Sequence, residues 1–189
     1  MGARCTEVPV RRQRGCSRMQ YVSIDPGFEI RSARADERLP VYRLLELYQH
    51  DLSDVWDQDL DSHGEYGYAL DEYWVTPDSN AYVVLVESRY AGLALVNRRA
   101  KVPGAAYWLE QFFIVKKYRR CGIGAAAASA LFDAIPGVWQ VGQMPLNLPA
   151  QAFWRNTIGR YTGGQYKEMR LEAGPWQGVL QQFRSRPAP

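Results

Sequence analysis

Several features are scarce in this 189-residue sequence, and each scarcity excludes something. No run of 18 apolar residues occurs, so no membrane-crossing helix is expected and a membrane is not among the expected partners. Cysteine is rare and odd in number: Cys5, Cys16 and Cys121 share no metal-ligand spacing. Neither a disulfide framework nor a metal site is expected, and a reduced, cytoplasmic setting fits better than a secreted one. Lys and Arg are absent from Leu44 to Ser88, and Asp and Glu are absent between Asp133 and Glu168.

What is present is unevenly charged. Residues 1–43 carry +4, residues 44–88 carry −11, and residues 89–189 carry +10. A cationic half suits an anionic ligand and an anionic half a cationic one, although solvated faces look the same. The basic residues gather at one loop and a tail, so nucleic acid is not an expected partner. The length suits one domain with its own core.

The most informative stretch runs from Glu110 to Ser129. Phe112, Phe113, Ile114 and Val115 form an apolar run rich in strand formers. Four cations follow within five positions, Lys116, Lys117, Arg119 and Arg120, then Gly122, Gly124 and a run of alanines with high helix propensity. A helix start offers unpaired N–H groups and partial positive charge, and glycines let a ligand approach the backbone. Strand, basic glycine loop and helix together describe a pocket for phosphate or pyrophosphate. A P-loop needs Gly-Lys-Ser/Thr, whereas this loop ends Gly124-Ala125-Ala126. The dinucleotide pattern is met by Gly122-x-Gly124-x-x-Ala127, but the acid it needs about 20 residues on is missing.

Val115-x-x-Tyr118-Arg119-Arg120-x-Gly122-Ile123-Gly124 resembles the acyl-CoA loop of the GNAT N-acetyltransferase superfamily, whose core pattern is Arg/Gln-x-x-Gly-x-Gly/Ala. Asn147-x-x-Ala150-x-x-Phe153-Trp154 resembles the family's Asn-x-x-Ala-x-x-Phe-Tyr, and the motifs stand in the family's order. The resemblance covers residues 28–184 and implies a GNAT fold, an α/β (α+β) mixed sheet flanked by helices. The cofactor loop would lie between the central strand and a helix. A basic tail is expected at 1–26, the domain at 27–184 and a short tail at 185–189. The implied activity is acetyl transfer from acetyl-CoA, the acyl-donor substrate, to a small-molecule, cationic amine acceptor, without a metal. A non-catalytic acyl-CoA-binding module and a protein N-acetyltransferase are the alternatives, and a homodimer is left open.

In chain order, strands are expected at 28–33, 81–87, 91–98, 106–115 and 138–144, with a closing hairpin at 165–172 and 177–183. Helices are expected from an N-cap at Asp36 to about Leu52, at 69–74, 123–135 and 150–159. Gly92 resembles the family's glycine at the start of the second hairpin strand. Between Asp51 and Trp74 an acidic, aromatic loop would line the acceptor side.

The resemblance also implies roles. Pantetheine would pair with the backbone of Ile114 and Val115. Arg119 would belong to the anion loop, and the amides of Arg120, Cys121, Gly122, Ile123, Gly124 and Ala125 would hold the pyrophosphate. Asn147 would reach the pantetheine or the acceptor. Glu110, the only acid between Glu87 and Asp133, is the expected base, ahead of His50 and His63. Trp154 stands where the family often has a tyrosine that protonates the leaving thiolate, which indole cannot do. Tyr161, Tyr118 or water is then expected to serve, or the thiolate leaves unprotonated.

Overall fold

A computed structural model describes residues 27–185. The expected N-terminal tail, with Cys5 and Cys16, and residues 186–189 lie outside the described residues; Ser185, expected in the C-terminal tail, is buried and donates its N–H to Gly137 O at 2.9 Å. Seven strands form one sheet in the order β1-β2-β3-β4-β5-β7-β6. They are β1 (Phe28–Ser32), β2 (Ser79–Val86), β3 (Arg89–Asn97), β4 (Tyr107–Ile114), β5 (Val138–Gln143), β6 (Tyr166–Leu171) and β7 (Gly178–Arg184). Only β4 and β5 run parallel; the other neighbours are antiparallel.

The helices are α1 (Arg38–Trp56), α2 (Glu72–Val75), α3 (Ile123–Ala134) and α4 (Leu148–Thr162). Each sheet face receives alternate side chains of the central strands. Leu93, Leu95 and Phe113 meet Val41, Leu44 and Leu45 of α1, with Tyr73 of α2. Ala94, Val96 and Leu109 meet Ala128, Leu131 and Phe132 of α3, with Trp154 and Ile158 of α4. Packing α1 and α2 on one face and α3 and α4 on the other buries both sides of β3 and β4, which explains their near-continuous apolar runs.

Local chemistry shifted several expected boundaries. Asp36 does not cap α1. It sits in a 3-10 turn, Ala35–Glu37, and pairs with Arg34, while Glu37 accepts the Arg34 N–H at 2.8 Å. Helix α1 runs on to Trp56, ending where Asp57 turns left-handed at φ 50°. The β2–β3 turn falls on Glu87 and Ser88, at φ 49° and 62°, a two-residue geometry that matches strand twist but ordinarily favours glycine or asparagine. Helix α4 starts before Ala150 because Asn147 caps it, with Oδ1 accepting the Ala150 N–H at 3.1 Å and Pro149 in the first turn. Among the described residues no helix is long and apolar enough to cross a membrane.

Candidate active site

Strand β4 builds the site. Its register with β3 steps from Leu95↔Gln111 to Val96↔Leu109, leaving Glu110 as the extra residue of a β-bulge. A bulge breaks the in–out alternation, so Glu110 and Gln111 share a face. Both look toward α1 and α2: the Asn97 amide donates to Glu110 Oε2 at 2.8 Å, and the Gln111 amide donates to the Tyr68 hydroxyl at 3.3 Å. Pairing with β5 ends at the same place, Leu109↔Val141. Beyond it the two strands part, and one edge of β4 from Glu110 to Ile114 has no strand partner among the described residues.

That edge can be assigned group by group. Val115 N–H donates to Ala91 O at 2.8 Å, and a Cβ on Gly92 would stand 2.2 Å from Phe113 O. Phe113 and Val115 therefore turn their polar groups toward β3, while Phe112 and Ile114 turn theirs to the open edge. Val115 O is also occupied, by the Tyr118 N–H at 2.8 Å. Of the two residues expected to meet pantetheine, Ile114 turns its backbone to the opening, with its O taken by Arg119 and its N–H left to that edge, and Val115 does not. The glycine at position 92 is required by this close approach of β3 to β4.

The open edge leads to the glycine loop. A 3-10 turn at Lys116–Tyr118 is followed by positive φ at Arg120 (61°) and Gly122 (87°), and α3 then begins. The first bond across the α3 start is Ala126 N–H to Gly122 O, at 3.0 Å, so the amides of Ile123, Gly124 and Ala125 have no partner within the helix. Nothing lies within 4 Å of a Cβ built on Gly122, whereas one on Gly124 would touch the Phe153 ring at 3.4 Å. Gly122 thus leaves room for a ligand, and Gly124 lets α3 close on α4. Cys121 is exposed, its Sγ donating to Tyr118 O at 3.1 Å.

The four loop cations do different things. Arg119 turns inward: its Nε donates to Ile114 O at 2.5 Å, and its guanidinium lies 5.3 Å from the centre of the Phe113 ring. Its other end pairs with Asp51 of α1, which also holds Lys116 at 2.9 Å. Burial pushes the Asp51 carboxyl up, but hydrogen bonds from Lys116 and Arg119 outweigh it and leave it below its ordinary value. Lys117, whose ammonium lies 5.2 Å from the centre of the Tyr118 ring, and Arg120 are exposed and form no ion pair among the described residues. The donors and the open edge fit a pyrophosphate with an extended, amide-bearing arm.

Around Glu110 the side chains form a polar cluster. Asn97 also approaches the Tyr73 hydroxyl at 3.4 Å, and Arg99 lies 3.7 Å from Glu110 while gripped by Glu72 at 2.6 and 2.7 Å. That fork satisfies Arg99 elsewhere, so it approaches Glu110 without capturing it. Burial raises the Tyr73 and Tyr68 phenols, so both remain neutral hydroxyls. His50 lies 3.4 Å from the Tyr66 hydroxyl on the exposed side of α1, and His63 is exposed in the loop. Asn97, Arg99 and Gln111 had no motif to mark them, since only the bulge brings them to Glu110.

Two expectations about the acid step can be decided. Trp154 is 6% exposed and packs edge to face on Phe112 at 5.1 Å, so it is a core residue. Tyr161 is 7% exposed, packs edge to face on Phe132 with ring centres 5.4 Å apart and donates to Asp133 at 2.7 Å, all on the α3 and α4 side of the sheet, opposite the face that carries Glu110. The acidic segment is also less bare than its composition implies. Of its eleven carboxylates five are in ion pairs: Asp51, Glu65, Asp71, Glu72 and Asp78.

Known proteins share this fold. Residues 41–159 match the model of the acetyltransferase (GNAT) family. An acetyltransferase from Thermus thermophilus aligns at a TM-score of 0.58, with 14% identity over 83% of this chain and 96% of its own. The Salmonella typhimurium protein yncA, solved with its cofactor acetyl-CoA, aligns at 0.56, with 13% identity over 84% and 94%. Spermidine N-acetyltransferase from Vibrio cholerae, solved with CoA and spermine, aligns at 0.55, with 11% identity over 82% and 94%. No curated protein matches the sequence. With the family model spanning more than half of the residues, and the strand, loop and helix of its fold in place, the chain belongs to the GNAT acetyltransferase family.

Proposed function

We propose that the protein transfers the acetyl group of acetyl-CoA to the amino group of a small cationic acceptor, with Glu110 as the base. The observation that carries this reading is the bulge. It sets a carboxylate where β4 leaves β5, at the end of the open edge that starts beside the glycine loop. The pyrophosphate would take the amides of Ile123, Gly124 and Ala125 with Lys117 and Arg120, and the pantetheine arm would lie along Phe112 and Ile114. Asn147, whose Oδ1 is spent on the α4 cap, has its amide N–H groups left for that arm.

Glu110 accepts one proton from the acceptor's ammonium, directly or through a water, and the amine attacks the thioester carbonyl. The adduct still carries an ammonium proton, which passes to the departing sulfur as the carbon–sulfur bond breaks. A thiolate with a pKa of about 8.5 leaves without a dedicated acid, so a core tryptophan at position 154 is compatible with turnover. An exposed Cys121 beside the loop suits a reducing, cytoplasmic setting. The test is release of CoA thiol from acetyl-CoA across a panel of amines. Glu110→Gln should lower turnover roughly 10²–10⁴-fold at neutral pH, with the defect shrinking as the amine deprotonates by itself. An unchanged rate across that range would remove Glu110 from the mechanism. Steady binding of acetyl-CoA without thiol release for any amine would favour a non-catalytic acyl-CoA module.

A further inference from the structure

On the face that carries Glu110, the point where β4 and β5 part is filled by two indoles. Trp108, one position before the last paired residue of β4, is 1% exposed. Trp176, from the β6–β7 connection, meets it edge to face, with centroids 5.2 Å apart and planes at 63°. Both rest on Gly142, where a Cβ would stand 2.3 Å from the Trp108 ring and 2.8 Å from the Trp176 ring. Gly142 lies just past Val141, the last β5 residue paired with β4, so the rings are packed where the two strands begin to part. Trp108 also pairs across the sheet with Asn97, the residue that donates to Glu110.

An indole is a donor only. The Nε1 atoms of Trp108 and Trp176 are buried with no hydrogen-bond partner among the described residues, whereas Trp139 Nε1 donates to Ile135 O at 3.0 Å. Buried donors left unpaired are rare enough to need an account. An edge-to-face pair can aim at most one of its two N–H groups at the other ring. The Lys101 ammonium, 4.8 Å from the Trp108 centroid, already engages that ring's π system. At least one donor of the pair therefore stays unspent among the described residues.

We propose that Trp108 and Trp176 recognise the acceptor, and that the amine carries a hydrogen-bond-accepting oxygen, a hydroxyl, ether or carbonyl, within a few carbon atoms of its amino group. This rests on the acetyl-transfer reading and narrows its substrate class. Glu110 and Trp108 are two positions apart on β4, about 7 Å along a strand, so one small molecule spans both. Glu110 receives the ammonium end and the indoles donate to the oxygen. Trp176 belongs to a connection rather than to a strand, and it moves off Gly142 to admit that oxygen.

A matched pair of amines tests this: 1,3-diamino-2-propanol against 1,3-diaminopropane, alike in length and in number of amino groups and different by one hydroxyl. Thiol release should show kcat/KM roughly 10–100-fold higher for the hydroxylated amine. Trp176→Phe, and separately Trp108→Phe, keep a ring and delete the N–H; in each, kcat/KM for the hydroxylated amine should fall to that of its deoxy partner. Indole N–H resonances give a second readout that needs no turnover, since the Nε1–H signals of both tryptophans should move on adding the hydroxylated amine and not the other. Equal kcat/KM for the two amines, or variants that slow both alike, would overturn the oxygen reading and leave acetyl transfer standing. Shifts in the indole signals without thiol release would instead strike the transfer reading and support this one. No release and no shift would overturn it.

Discussion

Asp51→Asn tests how the glycine loop is held. The change keeps the side chain's shape and removes the charge that Lys116 and Arg119 share. The Asp51 side chain is 13% exposed, against 75% for Lys116 and 38% for Arg119, so solvent screens the cationic side of the cluster. The expected loss is about 1–2 kcal/mol, above an exposed ion pair and below a fully buried one. In a chain of this length that is about 2–8 °C in Tm. The pH dependence has a definite sign. A carboxyl held below its ordinary value on folding contributes fully above the unfolded value of about 3.9, and the contribution fades as pH falls through the folded value. Thermal melts of the two proteins should therefore differ at pH 7 and converge below about pH 4. A gap of the same size at pH 3 would mean that the asparagine simply packs badly, and the charge latch would be refuted. Freeing Lys116 and Arg119 also adds positive charge beside the pyrophosphate site, so acetyl-CoA binding should become more salt-dependent. An unchanged salt slope would contradict a loop charge set by Asp51.

Gly122→Val should leave the fold intact, since no atom lies within 4 Å of the new Cβ, at a strain of about 1–3 kcal/mol from φ +87°; calorimetry should find acetyl-CoA binding abolished, and wild-type affinity in the folded variant would sink the loop assignment. Glu37, 2% exposed, takes two hydrogen bonds from Arg31 at 2.7 and 2.8 Å and one from the Tyr90 hydroxyl at 2.9 Å. The Arg31 hydrogen bonds, against burial, hold its carboxyl at about 2. Glu37→Gln should destabilise by about 3–5 kcal/mol in urea at pH 7, and the wild type should lose this contribution as pH falls from about 4.5 to about 2; a variant as stable as the wild type at pH 7 would show the cluster to be inert. Trp154→Tyr should lower stability by about 1–2 kcal/mol without raising kcat, because the ring is packed on Phe112 rather than aimed at the opening; a faster variant would show that a phenol there reaches the thiolate.

How legible the site was in the sequence depends on whether a group acts through the backbone or through contact. The glycine loop was legible because its chemistry is local: strand formers, then cations, then Gly122 and Gly124, then alanines. Which of its cations face a ligand was not legible. Arg119 and Lys116 look like Lys117 and Arg120 in sequence, and only the folding of α1 against the loop brings Asp51 within 2.9 Å of Lys116. The same folding corrected the reading of the acidic segment, because its partners Arg38, Arg43, Arg98 and Arg99 lie outside the stretch that lacks basic residues. Asn147 read as a ligand-binding residue, and its Oδ1 caps a helix. Tyr161 read as a candidate for the proton transfer that the indole of Trp154 cannot make, and both pack on the α3 and α4 side of the sheet, Trp154 against Phe112 and Tyr161 donating to Asp133.

The bulge at Glu110 is the feature that no periodicity announces, and it governs the rest. A regular β4 would alternate Trp108, Glu110 and Phe112 on one face and Leu109, Gln111 and Phe113 on the other. With one extra residue, Phe112 returns to the α3 and α4 side while Trp108, Glu110 and Gln111 share the α1 and α2 side. The bulge also marks where β5 lets go, so one irregularity opens the edge and aims the carboxylate. From there to Val115 is five residues, about 17 Å of strand. That length is set by backbone rise and not by side chains, so strand and loop keep their separation however the sequence drifts. The fold itself is held at 11–14% identity, with TM-scores of 0.55–0.58. What such a ruler cannot fix is the side of the cleft proposed here for the acceptor, where Tyr68, Arg99 and Trp176 come from three separate connections. Specificity is therefore expected to reside in those side chains, and exchanging them should change the amine chosen before it changes acetyl-CoA affinity.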